Sequence, residues 1–152
     1  ASGESGGVAT PPEVVVFGLG RYGSRLVHGL RAGGFAVLGA DFDPERTRTL
    51  RREGVPVRFG DVTEAAFLDE LPLAGTSWVV SALPDLDSNR SLLPALREHG
   101  FRGATAIVAR EPDDQAALTA LGVDEVLVPM TDAVDRAVQS LTSILRERRP
   151  AA

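Results

Sequence analysis

Apolar positions along this chain follow two alternating patterns. Short continuous runs stand at 13–18 (EVVVFG), 35–40 (FAVLGA), 56–59 (PVRF), 77–82 (SWVVSA), 104–109 (ATAIVA) and 125–128 (EVLV). Runs of this length without polar alternation predict parallel strands covered on both faces. Between them apolar residues recur at helical spacing: Tyr22, Leu26 and Leu30 within 21–32, Leu92, Leu93 and Leu96 within 87–99, and Val134, Val138, Leu141 and Leu145 within 131–147. Punctuation supplies the other helices. Pro44 suits a first helical position and Gly54 an end, 64–71 is a short helix, Gly100 closes the segment from 87, and EPDDQAALTALG carries acids in its first turn and ends on Gly122. Strand and helix alternate six times with short connections, which predicts a doubly wound α/β domain with a six-stranded parallel sheet and helices on both faces. Right-handed crossovers make 3-2-1-4-5-6 the expected strand order.

The organisation expected along the chain is simple. Residues 1–12, small, polar and rich in Gly and Pro, read as a linker or cloning remnant, 13–147 as one domain, and 148–152 as a tail. The first residue is Ala rather than Met, so a piece of a longer protein is the expectation. No apolar run approaches the roughly 18 residues that span a bilayer, so no direct membrane insertion is expected and any membrane role runs through a partner.

Composition narrows the chemistry. The 152 residues are 43% hydrophobic and 24% charged, as in an ordinary globular protein. There is no cysteine, which removes disulfides, thiolate metal sites and cysteine nucleophiles and suits a cytoplasmic protein. All 16 basic residues are arginine, which removes the lysine of a phosphate-binding P-loop and Schiff-base chemistry. The net charge of −5 gives no basic face for nucleic acid. Arg46, Arg48, Arg51 and Arg52 crowd one helix and read as a solvated face, with reception of an extra phosphate or an acidic partner as the alternatives.

One stretch carries a specific signal. Gly18, Gly20 and Gly23 form G-x-G-x-x-G between a predicted strand and a predicted helix, the context of a Rossmann-like nucleotide turn. Gly18 permits the tight turn, Gly20 lets the backbone approach a pyrophosphate, Gly23 allows helix and strand to pack closely, and the helix N-terminus offers free N–H groups. About twenty residues on, GADFDPER supplies Asp41 for a ribose diol. A carboxylate there repels a 2′-phosphate, so NADP is disfavoured. Asp43 competes for the role but, preceding Pro44, suits a helix cap better.

VVVFGLGRYGSRLVHGL, VLGADFDPER, GVPVRFGDVTEAAFL, WVVSALPDLDSNRSLL and TAIVAREPDD, in that order over residues 13–130, resemble the RCK (regulator of K⁺ conductance) N-terminal domain, also called the KTN or TrkA-N domain. The resemblance implies a cytoplasmic nucleotide-sensing domain at the inner face of the membrane. Such domains regulate potassium channels, Trk/Ktr transporters or Kef-type cation:proton antiporters, usually as homodimers, and bind AMP, ADP, ATP or NAD(H). It also implies site residues. Gly18, Leu19, Gly20, Arg21, Tyr22 and Gly23 match the phosphate turn, with Arg21 and Tyr22 at its exposed positions. Asp41 matches the ribose acid, with Phe42 near the adenine edge. Asp61 matches the acid facing adenine, with Val62 beside it. Ala82 and Leu83 leave strand four over the cofactor, Asn89 opens the next helix, and Arg110, ending strand five, points into the cleft or to a partner subunit. The family often has a polar residue where Ala82 and Leu83 stand, which shifts weight from a dinucleotide towards AMP. The chain stops about where the family's second lobe begins.

Other classes are weaker. A dehydrogenase needs a substrate domain and a proton-exchanging group, and after the sixth strand only one helix and a tail remain. No catalytic residue and no enzyme activity is expected. His28 is expected to face solvent and His99 to sit at a helix C-terminus. Asp85, Asp87, Asp113 and Asp114 suggest helix caps before they suggest a metal, and no metal is expected. The stripe on the last helix either packs on the sheet or belongs to a subunit interface. The remaining alternatives are a cofactor-binding fragment of an NAD-dependent oxidoreductase and a nucleotide-free dimerisation scaffold.

Overall fold

The computed structural model describes residues 10–150; the expected linker up to residue 9 and the last two residues of the expected tail lie outside them. Strands β1 (Val14–Phe17), β2 (Val37–Asp41), β3 (Val57–Phe59), β4 (Trp78–Ser81), β5 (Ala104–Val108) and β6 (Glu125–Leu127) alternate with helices. These are α1 (Arg21–Ala32), α2 (Pro44–Arg52), α3 (Ala65–Asp69), α4 (Leu86–Glu98), α5 (Pro112–Ala120) and α6 (Pro129–Glu147), with a 3₁₀ turn at Leu73–Gly75. The sheet is all parallel in the order β3-β2-β1-β4-β5-β6, the order the alternation predicts. In register, Val14 lies opposite Val37 and Trp78, and Phe17 opposite Ala40 and Ser81.

The continuous apolar runs are explained by burial on both sheet faces, because successive strand side chains point to opposite sides. Val15, Phe17, Leu38, Ala40 and Val79 pack with Leu68 of α3 and Leu92 and Leu96 of α4. Val14, Val16, Val37, Val57 and Val80 pack on the other side with Val27 of α1 and Leu50 of α2. Ile107 and Ala109 meet Leu118 of α5 in a third cluster at the sheet's edge.

Helix phase departs from expectation in α1. The buried face of α1 is Gly23 and Val27, while Leu26 and Leu30 of the predicted stripe flank it, half-buried. The predicted ends at Gly54, Gly100 and Gly122 all have positive φ. Helix α6 stands apart from the others: none of its residues is buried, and Val134, Val138, Leu141 and Leu145 are 51–64% exposed. Its stripe is not packed on the chain's own sheet.

Candidate functional site

Five strands deliver their C-terminal ends to one cleft of about 580 Å³. Gly18 and Gly20 follow β1, Asp41 and Phe42 end β2, Gly60 and Asp61 follow β3, Ala82 and Leu83 follow β4, and Arg110 follows β5. The cleft straddles the boundary between β1 and β4, where the strand order reverses and open α/β sheets bind their ligands. A larger hollow of about 990 Å³ lies at the opposite edge, between Pro11, Phe35, Arg58 and Pro72. It sits at the N-terminal ends of the strands, without the glycine turn, so the smaller cleft is the candidate.

The turn is held by close backbone packing. Gly18 has φ +88°, and a Cβ on it would stand 3.0 Å from the carbonyl carbon of Ala82. A Cβ on Gly23 would collide with the carbonyl oxygen of Gly18. Gly20 is the N-cap of α1 and offers no side chain to the first turn, which also carries no acid. The N–H groups there, at the positive end of the helix, are left for an anion.

Asp41 is buried at 4% exposure and tied to the turn. Its Oδ2 accepts the Leu19 N–H at 2.6 Å and its Oδ1 the Asp43 N–H at 2.8 Å, while Arg46 Nη1 stands 3.4 Å from Oδ2. Asp43 caps α2, accepting the Glu45 N–H at 2.8 Å, which separates the two acids as their spacing suggested. Phe42 stands on the cleft's lip, 68% exposed. Asp61 is different: its Oδ1 accepts the Thr63 N–H at 2.9 Å and the Thr63 hydroxyl at 2.7 Å. Those two bonds hold its pKa below the ordinary carboxylate value.

On the β4 side the polar groups turn inward. The Ser81 hydroxyl donates to Asn89 Oδ1 at 2.5 Å, and Asn89 Nδ2 donates to the carbonyls of Leu83 at 3.3 Å and Asp85 at 3.2 Å. Asn89, 1% exposed, therefore braces the 82–85 loop from beneath and does not line the cleft. Asp85 is a cap: its carboxylate accepts the Ser88 N–H at 2.9 Å and the Ser88 hydroxyl, which lower its pKa.

Ten of the sequence-predicted residues come together in the cleft: Gly18, Gly20, Arg21, Asp41, Phe42, Asp61, Val62, Ala82, Leu83 and Arg110. Four do not line it. Leu19 sends its side chain into the core and contributes only its N–H to Asp41, and Gly23 is consumed by helix packing. Asn89 lies beneath the loop. Tyr22 sits on the flank of α1 beside Arg25, Leu26 and Gly29, where burial first and Asp132 second raise its pKa. Ala40, Arg46, Gly60, Thr63, Pro84, Asp85 and Ser88 complete the lining. Of these, only Arg46 and Asp85 stood out in the sequence, as part of an arginine run and of a set of acids. Among the described residues no group of three or more metal-ligating side chains is found, and no helix is long and apolar enough to cross a membrane.

Comparison with known proteins places this cleft in context. The model of the TrkA-N domain matches residues 14–129. The glutathione-regulated potassium-efflux system protein KefC of Escherichia fergusonii is 30% identical over 114 residues, 75% of this chain and 18% of that protein. The chain thus spans under a fifth of the length of that relative. Among solved structures, the NAD(P)-binding domain of an exopolyphosphatase-related protein from Archaeoglobus fulgidus is 28% identical. It superposes with a TM-score of 0.75 over 87% of this chain and 98% of its own. The GsuK channel bound to NAD shares the fold, with a TM-score of 0.71 at 23% identity over 86% of this chain and 24% of that one.

Proposed function

The chain belongs to the TrkA-N domain family, and from that premise we propose that it is a nucleotide-sensing regulatory module of a potassium or other monovalent-cation transporter. In this reading an adenine nucleotide, AMP, ADP, ATP or NAD(H), occupies the cleft. Its phosphates lie on the turn from Gly18 to Gly23, its ribose reaches Asp41, and its base lies towards Phe42, Asp61 and Val62. The observation that carries the reading is the joining of the glycine turn to the acid of the next strand through the Leu19–Asp41 hydrogen bond. The relatedness to KefC and to an NAD(P)-binding domain supports it.

The module acts without chemistry of its own. Arg110, on the far wall, feels phosphate charge, and nucleotides that contact it differently favour different domain arrangements. Only such differential affinity shifts a conformational equilibrium, by about 1–3 kcal/mol in typical couplings. The module works at the cytoplasmic face of the membrane as a homodimer, and the open stripe of α6 is the surface that fits a second copy.

Thermal melts with NAD⁺, NADH, NADPH, ATP, ADP and AMP test the reading. Saturation near 100 times Kd adds about 2.7 kcal/mol, a shift of several degrees. A shift with AMP, ADP or NAD(H), and none with NADPH, is expected. No shift with any of them overturns nucleotide sensing and leaves a dimerisation scaffold.

A further inference from the structure

Asp41 is where a ribose is expected, yet its side chain is only 2% exposed. Arg46 stands over it. The guanidinium lies 3.4 Å from Asp41 Oδ2 and 3.7 Å from Asp43 Oδ2, and its atoms stand 3.7–3.8 Å from where a Cβ on Gly20 would be. One side chain thus spans the acid and the phosphate glycine. Helix α2 aims it there, while Arg48 of the same run pairs with Glu45 on the outer surface.

The geometry is that of a loose occupant. A charge-assisted N–H···O bond is normally about 2.7–2.9 Å, and the Arg46–Asp41 contact is longer, from a side chain that is half exposed. A carboxylate has about four acceptor positions. Two are taken by the backbone N–H groups of Leu19 and Asp43, and Arg46 holds one of the remaining two, so a ribose diol, which brings two hydroxyls, has to enter the place held by Arg46. The guanidinium, once released, is already beside Gly20, and its planar fork suits a phosphate.

We propose that Arg46 is a specificity-determining residue of this site: an internal cation that holds the ribose seat until a nucleotide arrives, then passes from Asp41 to the nucleotide's 5′-phosphate above Gly20. The proposal rests on the nucleotide reading of the cleft. It makes the site a discriminator of phosphorylation. Adenosine must displace Arg46 with nothing to offer it in return, whereas AMP supplies a new partner for the charge it displaces.

Calorimetric titration of the chain and of Arg46→Gln with 5′-AMP, 2′-AMP and adenosine tests this. In the unsubstituted chain 5′-AMP should bind more tightly than 2′-AMP and adenosine. Arg46→Gln should weaken 5′-AMP by about tenfold or more, the weight of one charged hydrogen-bonding partner, and leave adenosine unchanged or tighter. Arg46→Lys, which keeps the charge without the fork, should retain part of the 5′-AMP preference, and unliganded melts should show each variant folded. Equal weakening of AMP and adenosine would make Arg46 a support of the loop and overturn the proposal. So would an unchanged 5′-AMP affinity, or a preference for 2′-AMP that the variant loses. If neither chain nor variants bind any of these ligands, ADP or NAD⁺, the nucleotide reading itself falls, a result distinct from all of the others.

Discussion

Asp41 ends β2, Asp61 follows the neighbouring β3, and both line the same cleft, but they are built in opposite ways. Asp41 is held by tertiary structure: its partners are the Leu19 N–H from the glycine turn and the Asp43 N–H at the start of α2. Asp61 is held by its own loop, through the N–H and hydroxyl of Thr63 two residues on. The first acid joins β1, β2 and α2 before any ligand arrives, so recognition there is coupled to stability. The second organises a local turn at the surface, so its contribution to binding is separable from the fold. One cleft therefore has a rigid side and an adjustable side.

Substitution at Asp41 should have the largest effect. Asp41→Ala leaves two N–H groups without their acceptor, one of them in the core, at about 1–3 kcal/mol for each that water does not reach. A stability loss of about 2–4 kcal/mol in a denaturant melt is expected, together with loss of nucleotide binding. A loss below about 1 kcal/mol would break the contrast by showing that the turn holds itself. Next, Asp61→Ala should cost less than about 1 kcal/mol in the same melt, because only an exposed Asx-type turn is lost. It should weaken adenine nucleotides about fivefold, the scale of one modest hydrogen bond. A stability loss matching that of Asp41→Ala would place Asp61 in the fold as well. The smallest effect is one of pH. The folded pKa of Asp61 lies below its unfolded value, so its contribution is present above the ordinary carboxylate range near 4 and fades as pH falls through the folded value. Asp85 titrates in the same direction through Ser88. Thr63→Val should therefore flatten the acid limb of the melting-temperature profile only in part, and an unaltered limb would remove Asp61 from the account.

The fold was legible because its signals are local and repeated. Six apolar runs, a proline or glycine at most helix boundaries, and the crossover rule together lead to the strand order observed. Asp41 was legible because its distance from the glycines is set by one helix and one strand. What could not be read was rotation about a helix axis relative to the cleft. Asn89 was expected among the ligand-binding residues at the start of the helix, but at the fourth residue of α4 it faces inward, to Ser81 and the loop carbonyls. Arg46 looked like one member of a solvated run, because reach across α2 to Gly20 depends on a phase that charge spacing does not encode. Val27 was overlooked in favour of Leu26, one position away, for the same reason.

Helix α6 begins two residues after β6, at the edge of the sheet that carries the cleft, where Asp132 accepts the Val128 N–H at 3.1 Å. At about 1.5 Å per residue its 19 residues form a rod roughly 28 Å long. Such a rod magnifies a small change at its base: a tilt of about 5° at Pro129 sweeps the far end near Glu147 through roughly 2.5 Å.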